Sequence, residues 1–267
     1  METKKKLQQV KCFLFDMDGT IYLEDAILPG TLETLKKLDD LGVKYYFLTN
    51  NSSRDPLYYQ NKVKKMGIEI PEERILISTH SSIYYLSQKG AKNLFVLGTQ
   101  ELKTDLTKAG FSVVTEGNQK VDYVVVGFDL QLNYENLSIA CQYVDEGVPY
   151  MATHPDVRCP MKNGKYIPDC GSFITLINTA TGKACEAFTG KPSQYMIDVV
   201  LAKTGFKPED LAVVGDRIYT DIALGKNNGI LSILLLSGEA TLADLPTSSV
   251  QPDMIFKGIY ELAANLT

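Results

Sequence analysis

The 267-residue chain has no dense run of basic residues beyond Lys4-Lys5-Lys6. With a formal net charge of -5, that absence excludes the basic face on which nucleic-acid binders rely. The three lysines read as a solvated tail. An acidic chain holds an anion only through a local array of donors. The five cysteines, Cys12, Cys141, Cys159, Cys170 and Cys185, are odd in number and contain no Cys-x-x-Cys pair. A disulfide framework and a cysteine zinc site are both disfavoured, and reduced thiols of a cytoplasmic protein are expected. Long apolar runs are missing too. The longest, Ile230 to Leu236, is interrupted by Ser232 and is far too short to cross a bilayer. No signal peptide is visible, because the apolar run after the charged N-terminus contains Asp16 and Asp18. Neither nucleic acid nor membrane is therefore an expected partner. No low-complexity linker marks a domain boundary.

What the chain does have is alternation. Strand-length apolar runs occur at Cys12 to Phe15, Val43 to Leu48, Ile75 to Ile77, Leu94 to Leu97, Val121 to Val126, Tyr150 to Ala152, Leu211 to Val214 and Leu231 to Leu236. Between them lie helical patterns: Thr31 to Leu41, with Leu32, Leu35, Leu38 and Leu41 on one face, then Arg54 to Met66, Gln100 to Ala109, Asn136 to Val144, Gly171 to Thr181, Pro192 to Lys203 and Asp221 to Lys226. Pro192 is expected at the first position of its helix, where a missing N–H costs nothing. His154 to Asp169 reads as irregular. The pattern predicts an α/β fold with a parallel sheet covered by helices.

Chemistry-bearing residues sit where such a fold exposes them. Asp16-Met17-Asp18-Gly19-Thr20 follows the first apolar run directly, and ligands of open α/β sheets bind outside the carboxyl ends of strands. Two aspartates there, pointing the same way, repel unless they share a cation or a proton, and Gly19 lets the chain turn away. The plain alternative is an Asp-Gly turn. Thr49-Asn50-Asn51-Ser52 follows the second run, Lys191 lies in Thr189-Gly190-Lys191-Pro192 before a helix, and Asp216 and Asp221 follow the run Leu211 to Val214. Singly, these have ordinary explanations as helix caps, a surface lysine and turn residues.

In this order the four strings make a set that resembles the motif series of the haloacid dehalogenase superfamily, along nearly the whole chain. About 140 residues separate Thr49 from Lys191, room for an inserted cap domain. Leu48-Thr49-Asn50-Asn51-Ser52, Ala152-Thr153-His154-Pro155-Asp156 and Gly190-Lys191-Pro192 resemble the NagD-like, 4-nitrophenylphosphatase-like branch. The resemblance implies a Rossmann-like core over residues 1–78 and 183–267 with a smaller α/β cap over 79–182. It implies Mg²⁺-dependent hydrolysis of small phosphate monoesters, with Asp16 as nucleophile and Asp18 as general acid and base. Its Mg²⁺ ligands would be the Asp16 and Asp216 side chains and the Asp18 carbonyl. Asp221 would orient a metal-bound water or Lys191, while Thr49, the backbone of Asn50 and Asn51, and Lys191 would hold phosphoryl oxygens. A carboxylate at Asp18 favours hydrolysis in this family over a low-turnover phosphometabolite-binding protein, while a phosphotransferase, which needs the same residues, remains an alternative. Monomers and homodimers both occur among relatives.

The expected specificity loop is His154 to Cys170, with His154, Asp156, Arg158 and Cys159, then Asp169 to Ser172, as candidates. Cys159 precedes the loop proline, and by the resemblance to related phosphatases it would be the substrate contact, with a buried small hydrophobe as its plain reading. His80 reads as structural, and Tyr84-Tyr85 as core.

Overall fold

The computed structural model describes residues 2–161 and 165–266. The chain forms two compact units: Met1–Thr49 with Pro56–Leu76 and Lys191–Thr267, and Asn50–Asp55 with Ile77–Gly190.

The first unit is built on a six-stranded parallel sheet, in the spatial order Met254–Phe256, Leu231–Leu235, Leu211–Gly215, Cys12–Asp16, Lys44–Thr49, Ile75–Ile77. Cys12–Asp16 and Leu211–Gly215 are buried at every position. That is why both read as unbroken apolar runs: helices cover both faces of a central parallel strand. Chain order runs outward in opposite directions from these two neighbours, so the sheet has its topological switch point between them. Phe15 pairs with Val214 there, and a crevice opens beyond the paired carboxyl ends. On one face of the sheet, Cys12, Leu14, Leu48, Val213 and Leu224 pack with Met196, Ile197 and Val200 of the helix Gln194–Thr204.

The second unit carries a five-stranded parallel sheet in the order Ala187–Phe188, Tyr150–Ala152, Tyr123–Val126, Asn93–Leu97, Ser112–Val114. Its core joins Phe95, Leu97, Val124 and Val126 to Tyr143 of the helix Tyr134–Asp145 and to Phe173 and Ile177 of the helix Cys170–Thr181. Among the described residues, no helix is long and apolar enough to cross a membrane.

Most expected elements form within a residue or two, and the departures have local causes. Lys4-Lys5-Lys6 is exposed, as expected, but lies on a short helix, Glu2–Leu7, whose Leu7 is buried. In Thr31–Asp40 the buried face is Thr31, Thr34, Leu35 and Leu38, while Leu32 and Leu41 are exposed; Thr31 Oγ1 donates to Ile21 O, which makes threonine as good an inward residue as leucine. Pro192 stands outside its helix. Ser193 is the cap, its Oγ accepting from the Tyr195 N–H, and the helix starts at Gln194. Asp221 lies not at a helix start but in a wide π-type turn, Ile218–Ile222, with the regular helix beginning at Ala223. The stretch read as irregular holds an antiparallel hairpin, Arg158–Met161 with Lys165–Pro168. Its short strands lack an apolar alternation, and Arg158 stacks on Tyr166 at 4.5 Å from the ring centroid. Residues 162–164 of the expected specificity loop lie outside the described residues.

Leu14 is fully buried at the centre of the first core. Leu14→Ala is expected to destabilise the protein by about 2–5 kcal/mol, read as a lower urea midpoint at unchanged slope.

Candidate active site

Asp16 closes the strand Cys12–Asp16, and the chain then turns tightly. The N–H groups of Ile21 and Tyr22 both donate to Met17 O, at 2.8 and 3.2 Å, and Gly19 N–H donates to Tyr22 O at 2.7 Å. The two aspartates of the string differ in burial. Asp16 is nearly buried, whereas Asp18 keeps an exposed surface. Crowding of the Asp18 carboxyl by the protein raises its pKa, against the pull of Lys62 and Arg217.

The carboxylates that do gather are Asp16, Asp216 and Asp221, with one oxygen of each within 4.8 Å of the others. At an effective dielectric of about 20, two unit charges that far apart repel by about 3 kcal/mol. Lys191 is placed against this repulsion. Its ammonium donates to Asp16 Oδ1 and, at 2.7 Å, to Asp221 Oδ1, with the lysine only 3% exposed. Burial alone would discharge such a lysine, but the two carboxylates outweigh it and hold Lys191 protonated. Asp221 Oδ2 also accepts from the Arg217 N–H at 3.1 Å. Burial and the neighbouring Asp16 push the Asp221 carboxyl up to about 6 despite Lys191. The Asp216 carboxyl is raised well above its ordinary value, by burial first and then by Asp16 and Asp221.

The other expected residues are distributed. Thr49 ends the strand Lys44–Thr49 in the first unit. Asn50 and Asn51 belong to the second. Asn50 Nδ2 donates to Asp156 Oδ2 at 3.1 Å, and Asn50 O accepts from Ser78 Oγ at 2.6 Å. The Asn51 side chain closes an Asx turn onto the N–H and hydroxyl of Ser53. His154, buried, lies 3.2 Å from Asp156 and 3.6 Å from Asp169. Cys159 is half-buried in the hairpin opposite Ile167. His80 Nδ1 accepts from the Ile77 N–H, a structural cap, and Tyr85 is a buried core ring set edge-on to Tyr123.

A family model described as haloacid dehalogenase-like hydrolase matches residues 13–112, and a second, HAD-hydrolase-like, matches 188–262. The chain is 33% identical to an acid sugar phosphatase of Staphylococcus aureus, over 97% of this chain and 99% of the relative. The chain belongs to the haloacid dehalogenase-like hydrolase family. Solved structures place it in the NagD-like branch. The 4-nitrophenylphosphatase of Thermotoga maritima superposes with a TM-score of 0.91 at 41% identity, covering 97% of this chain and 98% of that one. NagD from E. coli K-12 superposes at 0.86 with 28% identity, covering 94% and 98%.

In this hydrolase the carboxylate cluster fits a hard divalent cation. Asp216 Oδ1 is buried and has no hydrogen-bond partner among the described residues. Asp216 Oδ2 accepts from the Glu239 N–H at 2.7 Å, which fixes the carboxylate and leaves Oδ1 as the unspent ligand atom. The raised proton affinities of Asp216 and Asp221 express the same shortage of positive charge that a cation relieves. The sequence reading missed one part of this cradle, the loop after Leu231–Leu235. A Cβ on Gly238 would lie 2.0 Å from Asp216 Oδ2, and one on Gly19, at φ +87°, 2.4 Å from it. Ser237 Oγ ties that loop to Gly19 O at 2.7 Å. The available signal was Ser237-Gly238 just beyond an apolar strand. Mg²⁺ at a hundred times its dissociation constant is expected to stabilise the protein by about 2.7 kcal/mol. Asp216→Asn should remove most of that shift in thermal unfolding.

Proposed function

We propose that the protein hydrolyses small phosphate monoesters through an aspartyl-phosphate on Asp16, with Mg²⁺ as cofactor. The observation that carries the reading is the pairing of a buried Lys191 with Asp16 and Asp221 beside the unpartnered oxygen of Asp216. This arrangement presents a carboxylate nucleophile next to positive charge, which is what attack on a phosphate dianion requires.

In the first step an Asp16 carboxylate oxygen attacks phosphorus, the bond from phosphorus to the alcohol oxygen breaks, and the Asp18 carboxyl gives its proton to the departing alkoxide. In the second, Asp18 takes a proton from water as the water oxygen attacks phosphorus, and the Asp16 carboxylate departs with inorganic phosphate as product. The raised pKa of Asp18 extends upward the pH range in which it holds the proton needed for the first step. Bound Mg²⁺, held by the Asp16 and Asp216 side chains and the Asp18 carbonyl, supplies neutralisation of phosphoryl charge. Lys191, which donates to Asp16 and Asp221, holds phosphoryl oxygens with Thr49 and the backbone of Asn50 and Asn51. Asp221 orients Lys191. The second unit has the role of a cap that reads the alcohol, with Cys159 in its hairpin as a substrate contact. The relatives' names support sugar phosphates and aryl phosphates as the substrate class.

Asp16→Asn is expected to lower turnover of 4-nitrophenyl phosphate by three orders of magnitude or more while leaving the circular-dichroism spectrum and melting cooperativity intact; full activity would sink the assignment. Asp18→Asn separates the two steps. 4-Nitrophenolate departs without a proton donor, so rapid mixing should show a burst close to one equivalent per site, then slow release of phosphate as the aspartyl-phosphate accumulates.

A further inference from the structure

The helix Pro56–Lys65 has three basic residues in its last turn, Lys62, Lys64 and Lys65. Lys64 and Lys65 are exposed, as lysines on a solvated face are, but Lys62 is half-buried. Its ammonium rests on an aromatic face, with Nζ 3.9 Å from the centroid of the Tyr22 ring. Tyr22 is itself 2% exposed and belongs to the turn that carries Asp18. Its carbonyl accepts the Gly19 N–H, its own N–H donates to Met17 O, and it forms a β-bridge with Asp18. The ring that supports Lys62 is thus held by the same hydrogen bonds that hold Asp18.

The ammonium's donors are unspent. Among the described residues Lys62 has no hydrogen-bond acceptor and no carboxylate oxygen within ion-pair distance. What it feels is attraction from Asp18 and Asp25 beyond that distance. Asp25 is exposed, so solvent and salt screen its pull. A cation–π contact is worth about 0.5–2 kcal/mol and uses the charge of the ammonium without using its N–H groups. Lys62 therefore keeps three donors and a full charge beside Asp18. Partial burial disfavours that charge, a cost that a bound anion would remove.

Asp18 marks the alcohol side of the reaction, because it is the group that hands a proton to the departing oxygen. A cation with unspent donors at this place meets the alcohol, not the phosphoryl group, which Lys191 serves. Lysine, a point charge on a flexible stem, reads charge more than shape. We propose that Lys62 is a specificity-determining residue that favours phosphate monoesters whose alcohol carries a second negative group near the ester oxygen. The inference rests on the phosphatase reading above, since Asp18 locates the alcohol.

The test compares kcat/KM for 3-phosphoglycerate and glycerol 3-phosphate, which differ in a carboxylate against a hydroxymethyl group, in the Mg²⁺-loaded full chain. The wild type should favour the carboxylate ester. Lys62→Met should lower the ratio of the two values about tenfold, Lys62→Glu should lower it further, and Lys62→Arg should retain it. A merely structural lysine would move both substrates together and leave the ratio alone. Ratios within twofold of wild type in Lys62→Met and Lys62→Glu, or loss of the preference in Lys62→Arg to the level of Lys62→Met, would overturn the proposal. Thermal unfolding accompanies each variant, and Lys62→Gln, which keeps a donor without the charge, replaces any that fails to fold. A wild type that cleaves 4-nitrophenyl phosphate but neither glycerol-derived ester overturns this inference alone; one inactive on all three overturns the phosphatase reading as well.

Discussion

Three carboxylates, Asp16, Asp216 and Asp221, converge in a place from which water is largely excluded, and the balance of their charge governs the first unit's functional end. One buried lysine compensates two of them. Arg217 contributes to the field but is engaged by Glu239, with Nε to Oε2 at 3.0 Å. Buried charge on this scale persists only where paired charges and hydrogen bonds oppose the desolvation. The surroundings supply that opposition: the N–H groups of Arg217 and Glu239 point at carboxylate oxygens, and glycines at 19 and 238 clear the space around Asp216. What the protein leaves without a hydrogen-bond partner among the described residues is one oxygen of Asp216, the atom on which the proposed cation site rests.

The parallel sheet makes the convergence possible. The strand ending in Asp16 and the strand preceding Asp216 are neighbours at the switch point, and both end on the same edge. Lys191 arrives from 175 residues further along the chain than Asp16. The rigid, fully buried strands set the positions of Asp16 and Asp216. The wide turn Ile218–Ile222 swings Asp221 inward to meet the lysine. Asp18 is not a member of that cluster and is exposed where Asp16 is nearly buried.

Much of this was legible in the residue order. Strand-length apolar runs marked the central strands because burial on both faces leaves no room for polar alternation. The Asp-x-Asp-Gly-Thr string and the later Gly-Asp string lay at their carboxyl ends, and Gly-Lys-Pro lay just before a helix. Less legible were features whose signal is weak or non-local. The hairpin Arg158–Pro168 has short strands without alternation, and Ser193 rather than Pro192 opens its helix. Thr31 and Thr34 replaced the expected leucines on a buried face because their hydroxyls find backbone acceptors. The Gly238 loop carried only the weak signal of Ser237-Gly238 after an apolar strand, since its contribution is an absence of side-chain volume beside Asp216.

The sequence by itself determined the fold class, the family and the identity of the charged residues, because periodicity and motif order are properties of the chain read along its length. The tertiary structure decided which carboxylates share a field. It grouped Asp16 with Asp216 and Asp221, set Lys191 against two of them, and seated Lys62 on Tyr22 with its donors unused. The reason is that electrostatic energy depends on distance and burial, and neither follows from separation along the chain.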